Sequence, residues 1–185
     1  HNINVGATMF IGESKLYLNQ ADLPDGTVVG YWASAATRTT SSPSKTVTIT
    51  SSTDYSVTAS DYGIGGSISD WYPVVGGVAA GCPGAPTLAF RVADPNLDVN
   101  IWAPGIAADV TGKSVTKGTD LQFGIVTNQY AALTTGRAPI AGTSTGDGYI
   151  DLKVKSESGS VLSQLYTNDT SSTWAPLGSI NVTTQ

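Results

Sequence analysis

Short carboxylate and amide side chains alternate with apolar residues over residues 94–101 of the sequence. Oxygen ligands of this kind suit a hard cation such as Ca²⁺, and the polar set consists of Asp94, Asn96, Asp98 and Asn100. An EF-hand loop needs Gly at its sixth position and Glu at its twelfth, where this sequence has Val99 and Gly105. A weaker Ca²⁺ site built from Asp94, Asp98 and the loop carboxylate Asp147 stays open, with a solvated strand face as the alternative. No other cofactor is predicted.

The same carboxylates are poorly spaced for acid–base catalysis. In a strand, residues i and i+4 lie on one face about 13 Å apart, whereas the two carboxylates of a glycosidase lie roughly 5–9.5 Å apart. His1 is the only histidine and lies at the terminus, so no Ser-His or Cys-His arrangement can form inside the fold. The sequence therefore predicts no catalytic residues and a protein that is not an enzyme.

A third interpretation of the polar row involves other copies of the chain. If copies stack in register, side chains such as Asn96 and Asn100 form amide ladders, and the aspartates accept hydrogen bonds from them. The row then belongs to an assembly surface.

Cys82 is the only cysteine and lies in a Gly-rich stretch, residues 76–86, with Gly81 and Pro83 beside it. One cysteine cannot form a disulfide within the chain, so in an exported protein it suggests an intermolecular bond or a free thiol. A loop exposes the sulfur, whereas an inert cysteine usually lies in an apolar strand. We expect Cys82 to link neighbouring subunits, with a buried thiol as the alternative.

Two N-glycosylation acceptor triplets occur, at Asn168 and Asn181. Attachment of a glycan requires that these residues be exposed outside the cell. Both asparagines are therefore candidate glycosylation sites.

The tryptophans suggest a second way to contact carbohydrate. Trp32 and Trp102 follow apolar strands and are predicted to be core residues. Trp71, which lies beside Tyr72 and Pro73, is the better candidate for an exposed ring that stacks on sugars.

Composition indicates the fold class. Charged residues are 12% of the chain, against about 25% in typical globular proteins, and long runs of helix-forming residues are absent. Thr and Val favour pleated strands, while Gly, Asn, Asp and Ser supply turns. The sequence predicts an all-β protein with fewer than about a tenth of its residues in helices, well below the usual 30–35%.

Charge and hydropathy restrict the partners. The net charge of −5 and scattered basic residues argue against nucleic acid, which requires clustered Lys and Arg. No apolar run reaches the roughly 18 residues of a membrane span, so no membrane insertion is predicted. The chain begins with His1 rather than Met, as a mature exported protein or a trimmed chain does. With few charges and many hydroxyls, the chain is predicted to be extracellular.

Hydrophobic periodicity divides the chain into two β regions. Residues 1–103 are predicted to form a β-sandwich or barrel-like domain, because short strand patterns recur at 8–12-residue spacing. Within it, residues 44–60 read as a strand pair with Val47 and Ile49 inward, and with an outward row of Thr46, Thr48 and Thr50. Because it contains Pro73, the segment 66–75 is predicted to be an edge strand or a strand end. Residues 76–86 are predicted to form a loop.

Residues 104–185 are predicted to form an incomplete immunoglobulin-like β-sandwich, unless the chain is one continuous unit. Only about five strands are recognisable, where a complete sandwich has seven to nine. Inward positions are expected at Leu121, Phe123, Ile125, Ile150, Leu152 and Val154. A missing strand leaves a sheet edge that must be covered or paired.

Four stretches resemble a known family: residues 6–18 (GATMFIGESKLYL), 28–49 (VVGYWASAATRTTSSPSKTVTI), 90–102 (FRVADPNLDVNIW) and 109–128 (DVTGKSVTKGTDLQFGIVTN). In this order they resemble a domain of surface-layer and sheath proteins of methanogenic archaea, above all the Methanospirillum-type sheath proteins. The resemblance implies a β-rich structural subunit that assembles into a resistant extracellular cylinder. It supplies no catalytic residues.

These observations favour a structural subunit that polymerises with copies of itself into a cell-envelope sheath or surface layer. The segments expected to pair between chains are residues 45–53 and 122–128, which are β-prone, free of Pro and almost without charge. Their marker residues are Thr46, Thr48, Thr50, Phe123 and Ile125. The alternative function is a carbohydrate-binding or adhesion module at the cell surface.

Overall fold

The computed structural model describes residues 2–65, 68–82, 85–133, 149–156, 158–162, 164–166, 174–176 and 179–181. Within these ranges the regular structure is almost entirely strand, and the helices are single turns. The predicted all-β fold is therefore confirmed.

The strands before residue 94 are β1 (Asn2–Ile3), β2 (Thr8–Phe10), β3 (Tyr17–Leu18), β4 (Val28–Tyr31), β5 (Lys45–Thr48), β6 (Ile68–Val75), β7 (Val78–Ala79), β8 (Gly81–Cys82), β9 (Ala85–Pro86) and β10 (Phe90–Ala93). A 3-10 turn covers Ala35–Thr37, and helix α1 covers Ala59–Tyr62. Thr58 caps α1, because its side chain accepts a hydrogen bond from the Asp61 N–H.

The later strands are β11 (Leu97–Ala103), β12 (Ala108–Asp109), β13 (Gln122–Thr127), β14 (Tyr149–Asp151), β15 (Val154–Lys155), β16 (Val161–Leu162), β17 (Gln164–Tyr166), β18 (Trp174–Pro176) and β19 (Ser179–Asn181). A 3-10 turn covers Pro104–Ile106, and helix α2 covers Tyr130–Leu133.

A six-stranded sheet organises the first half of the chain, in the order β2-β10-β6-β4-β5, with β7 added to β6. Strand β10 runs parallel to β2, and the other pairs of this sheet are antiparallel. Strands β12, β11 and β13 form an antiparallel three-stranded sheet in that order. The remaining described strands form the two-stranded pairs β1-β3, β8-β9, β14-β19, β15-β16 and β17-β18.

The main core lies against one face of the six-stranded sheet. Trp71 of β6 and Phe90 of β10 are directly opposite one another and fully buried. Tyr62 of α1 meets both rings edge-on, with centroids 4.7 Å from Trp71 and 5.9 Å from Phe90. Such tilted aromatic contacts add to the free energy gained by burial. The hydroxyls of Tyr55 and Tyr62 hydrogen-bond to each other, and burial raises the pKa of both.

Strand β6 is central, so the prediction that Pro73 marks an edge strand or a strand end was wrong. The carbonyls of Trp71 and Pro73 accept the N–H groups of Ala89 and Ala80, which places both carbonyls on the β10 side of β6. Pro73 lies where β10 has already ended, so its missing N–H interrupts no ladder with β10. Pro73 has no N–H to donate to the Ala80 carbonyl. This carbonyl accepts a hydrogen bond from the Thr87 N–H instead, at 3.1 Å.

Two further predictions need revision. Residues 45–48 form a strand as predicted, but the second half of 44–60 contributes only an isolated bridge at Tyr55 and the short helix α1. The stretch 76–86 contains the short strands β7, β8 and β9 rather than only a loop.

The boundary predicted at residue 103 falls at the end of β11, whose two partner strands, β12 and β13, follow it in the chain. The division into two domains, with one continuous unit as the alternative, stays a prediction.

The predicted immunoglobulin-like region is described only in part. Its strands β14 to β19 are placed as three separate pairs, β14-β19, β15-β16 and β17-β18. The alternating run 149–155 is split into β14 and β15, and Leu152 and Val154 are half-buried. The side chain of Ile150 lies outside the described residues.

Gly30 marks a close approach on the second face of the six-stranded sheet. A Cβ at this position would lie 2.8 Å from Val74 Cγ2, 2.9 Å from Pro43 Cβ and 3.0 Å from Trp32 Cη2. Trp32 in turn packs edge-on against Tyr72 and donates its indole N–H to the Ser41 carbonyl. Only glycine fits in the middle of β4 without moving this small aromatic cluster.

We predict that Gly30→Ala lowers the free energy of unfolding by about 1–3 kcal/mol, because the added methyl group overpacks the contact with Trp32. The measurement is chemical denaturation followed by tryptophan fluorescence. Gly105→Ala is the matched control, since a Cβ there meets nothing within 4 Å, and its effect should stay within about 0.5 kcal/mol. Equal effects of the two substitutions would show that Gly30 is not a packing constraint.

Candidate functional site

Strand β5 forms one edge of the six-stranded sheet and pairs only with β4 among the described strands. The Ile49 N–H donates to the Thr27 carbonyl at 2.9 Å, so this residue turns its backbone groups toward the β4 side. Because the direction alternates along a strand, the N–H and C=O groups of Thr46 and Thr48 point away from β4. Both residues are exposed, and the described part of the chain supplies no partner for these outward groups.

The side chains of this edge follow the predicted alternation. Val47 is half-buried and Ile49 is fully buried, while the row of Thr46, Thr48 and Thr50 is exposed. The edge is held in place beyond its last residue, because Ser52 donates both its N–H (2.7 Å) and its hydroxyl (2.6 Å) to Asp25 Oδ1. These hydrogen bonds lower the pKa of the Asp25 carboxyl.

Lys45 is the only charged residue of the segment 45–53. Lysine at an edge strand often prevents pairing with another chain. Here the ammonium donates to the carbonyl of Ser60 in α1 at 2.8 Å and lies 3.5 Å from that of Gly63. The charge is therefore directed toward α1 rather than along the outer edge of β5.

Strand β13 forms an edge of the three-stranded sheet. The Ile101 carbonyl accepts from the Val110 N–H at 2.8 Å, so Ile101 faces β12, and its neighbours Asn100 and Trp102 turn their backbone groups toward β13. Gly124 and Gln122 pair with those two residues. The backbone groups of Phe123 and Ile125 consequently point to the open side of β13.

One face of this sheet is apolar and exposed. Val99 is directly opposite Ile125, and Ile101 is directly opposite Phe123. Exposed fractions are 58% for Leu97, 45% for Val99, 38% for Phe123 and 40% for Leu121. The alternation predicted that these side chains share a face, and they do, but the expected inward orientation was wrong for Leu121 and Phe123. We call this surface the apolar face; it comprises Leu97, Val99, Ile101, Leu121, Phe123 and Ile125.

The opposite face of the same sheet is polar except for Trp102 and Val126. Asp98, Asn100 and Trp102 follow one another at two-residue spacing along β11 and are all exposed. Trp102 is directly opposite Asp109 of β12 on one side and Gln122 of β13 on the other. Hydrogen bonds from Thr111 hold the pKa of the Asp109 carboxyl below its usual value, so this position is negatively charged at neutral pH.

Trp102 is 42% exposed, so the prediction that it is a core residue was wrong. The sequence carried the necessary signal. Period two along β11 assigns Leu97, Val99 and Ile101 to one face, and the same period assigns Trp102 to the face of Asp98 and Asn100.

Trp71 and Tyr72, the predicted carbohydrate-stacking residues, are buried. Trp71 is fully enclosed and donates its indole N–H to Ser69 Oγ at 2.9 Å. Tyr72 packs under the Arg38 guanidinium, 4.5 Å from the ring centroid, and burial raises the pKa of its hydroxyl. A sugar cannot stack on either ring, so the surface assignment of Trp71 and Tyr72 was wrong.

The first residues of the polar row, Asp94 and Asn96, are hydrogen-bonded to Asn128, just after the end of β13. Asn128 accepts the Asn96 N–H at 2.9 Å and donates to the Asp94 carbonyl at 2.8 Å. These bonds use backbone groups and leave the side chains of Asp94 and Asp98 exposed. No group of three metal-ligating residues occurs in the part of the chain that the structure describes. Asp147, the third calcium candidate, lies outside it, so the Ca²⁺ site stays a prediction.

The remaining candidate residues are placed only in part. Cys82 belongs to β8 and pairs with Ala85, while its side chain lies outside the described residues. Asn181 ends β19 and pairs with Tyr149. Asn168 lies outside the described residues. The predicted disulfide and glycosylation sites therefore stay predictions.

The described residues define a class: an all-β protein in which two sheets end in open strands and the smaller sheet exposes both of its faces. Residues 5–185 match the family described as a domain of unknown function, DUF3821, and the chain belongs to that family. No curated protein and no solved structure matches the chain. In the described ranges, no helix has the length and apolar character that crossing a bilayer requires.

We predict an alternating pattern of amide hydrogen exchange along β5 in the unassembled chain. The outward N–H groups of Thr46 and Thr48 should exchange at least about tenfold faster than that of Val47, which faces β4. Amide exchange followed by NMR or by fragmentation mass spectrometry measures this directly. Equal protection of the three amides would contradict an open edge at β5.

Proposed function

We propose that this protein is a structural subunit that self-assembles into an extracellular sheath or surface layer. Subunits join by strand addition, so that sheets run continuously from one copy of the chain to the next. The observation that carries the proposal is the pair of open strands, β5 and β13, which lie at the edges of their sheets and whose outward backbone groups have no partner strand in the described part of the chain.

Open edges of this composition favour pairing between chains. Soluble proteins usually protect an edge with a charge, a proline, a bulge or a very short strand. Lys45 is directed toward α1, and β13 contains neither a charged residue nor a proline. With charged residues at 12% of the chain, little repulsion opposes the approach of another copy.

The apolar face adds a hydrophobic contribution next to the β13 edge. Contiguous exposed apolar surfaces usually mark sites of protein association. Phe123 and Ile125 belong to this face through their side chains and to the open edge through their backbone groups. Strand addition at β13 therefore extends the sheet and lengthens its apolar face in the same step.

The sheath and the extracellular location rest on the resemblance of the four sequence blocks and on composition. The partners are copies of the same chain, and the role requires neither catalysis, nucleic acid nor membrane insertion. Cys82 is proposed to cross-link neighbouring subunits, and Asn96 is proposed to contribute amide contacts between stacked copies. Main-chain hydrogen bonds depend little on net charge, so the assembly should survive high salt.

The test places proline at outward positions. We predict that Thr48→Pro and Ile125→Pro each abolish long polymers, with at least about a tenfold loss of pelleted protein. The variants lack an N–H that points away from the neighbouring strand, so the β4-β5 and β11-β13 ladders keep their bonds. Either substitution should suffice. If β5 of one copy pairs with β13 of the next, every joint needs both edges. If like edges pair with each other, a chain with one blocked edge can form only dimers.

Thr48→Val is the matched control, since it keeps the N–H group and the β-branched shape. It should form polymers like the parent chain in sedimentation and negative-stain images. Polymers formed by a correctly folded Thr48→Pro variant would rule out strand addition at β5. Equal loss in Thr48→Val would implicate the hydroxyl instead of the backbone and would also count against the mechanism.

A further inference from the structure

Among the described residues, Trp102 is the only aromatic residue on the polar face of the three-stranded sheet. The same face carries carboxylate and amide side chains. We call the surface formed by Asp98, Asn100, Trp102, Asp109 and Gln122 the Trp102 platform. An indole ring that is 42% exposed leaves a flat apolar surface in contact with water. A ligand that covers it must offer an apolar face of its own while remaining able to bind the polar groups around it.

The polar groups flank the ring on two sides. Asp109 and Gln122 are the direct cross-strand neighbours of Trp102, at the roughly 4.5–5.5 Å Cβ separation of such pairs. Neither Asn100 nor Gln122 donates a side-chain hydrogen bond to another described residue, and the Asp98 carboxylate likewise accepts none from the described part of the chain. Donors and acceptors are therefore available beside an exposed aromatic ring.

The side chains of the platform on β11 form a row. Trp102, Asn100 and Asp98 succeed one another about 7 Å apart along β11, because side chains on one face recur every second residue. Gly124 lies opposite Asn100 and has no side chain, so nothing projects above the sheet there.

The charge of the platform selects the ligand further. Asp98 and Asp109 are both acidic, and the ammonium of Lys113 donates to the backbone carbonyl of Asp109 at 2.8 Å. An anionic polymer is therefore repelled, whereas hydroxyl and acetamido groups can donate to the carboxylates and exchange hydrogen bonds with the two amides. The axial C–H face of a pyranose supplies the apolar surface that the indole needs.

From this juxtaposition we propose that the Trp102 platform binds an internal stretch of a neutral polysaccharide chain, with one sugar ring on Trp102 and the next units along Asn100 and Asp98. An open row, rather than a closed pocket, accommodates a chain that continues at both ends. The site does not depend on strand addition, since it uses the face of β11 and leaves the edges of β5 and β13 untouched.

Two tryptophans provide internal controls for the test. The indole N–H groups of Trp32 and Trp71 are bonded to the Ser41 carbonyl and to Ser69 Oγ inside the protein. In ¹⁵N NMR of the unassembled full chain, cello-, malto-, manno- and chito-oligosaccharides are titrated from disaccharide to hexasaccharide. At least one series should shift the Trp102 indole and the side-chain amides of Asn100 and Gln122, with affinity rising with length, while Trp32 and Trp71 stay unchanged.

Variants separate binding from general surface effects. Trp102→Ala should weaken the affinity for the responding oligosaccharide by at least about tenfold, and Trp102→Phe should lose less, because the phenyl ring retains a stacking face. Val75→Ala, at a residue that is 66% exposed in the six-stranded sheet, should bind like the parent chain.

Three results would overturn the proposal. The first is the absence of any shift at Trp102 with all four series. The second is a shift that persists unchanged in Trp102→Ala. The third is a Trp102 indole that responds to protein concentration but not to sugar, which would assign the platform to contacts between copies of the chain.

Discussion

A sheet is complete only when the backbone N–H and C=O groups on both sides of every strand have a partner, and this constraint governs the whole structure. In the six-stranded sheet, β6 meets it with β4 on one side and with β10 and β7 on the other. The N–H that Pro73 lacks is replaced as well, because the Thr87 N–H donates to the Ala80 carbonyl. Among the described strands the constraint is unmet at the edges of the sheets, and the proposed function follows from two of these edge strands, β5 and β13.

The buried aromatic residues fix where the edges fall. Trp71, Phe90 and Tyr62 pack in the middle of the main core, so β6 and β10 must be interior strands and β5 must be peripheral. Among the residues that the structure describes, none covers either face of β11 and β13 in a comparable way. The apolar face and the Trp102 platform therefore remain exposed on opposite sides of the same strands, which gives one thin sheet two different surfaces for contact.

Local periodicity predicted what depends on neighbours in sequence. The alternation of Val47 and Ile49 with threonine is reproduced in β5, and the division of residues 97–101 between two faces is reproduced in β11. Predictions failed where a distant strand decides the outcome. Pro73 fits inside the sheet because the pairing with β10 does not reach it, and Trp71 is buried because Tyr62 packs on it and Phe90 lies opposite. Period two does not show whether a face is covered, so the exposure of Leu121 and Phe123 required the structure.

A density map of the native polymer would show whether neighbouring subunits join by strand addition. We predict intermolecular β-ladders in which the outward groups of Thr46 and Thr48, and also those of Phe123 and Ile125, pair with a strand of a neighbouring subunit at a spacing of about 4.8 Å. Subunits that touch only through loops and side chains, with these backbone groups facing solvent, would contradict strand addition.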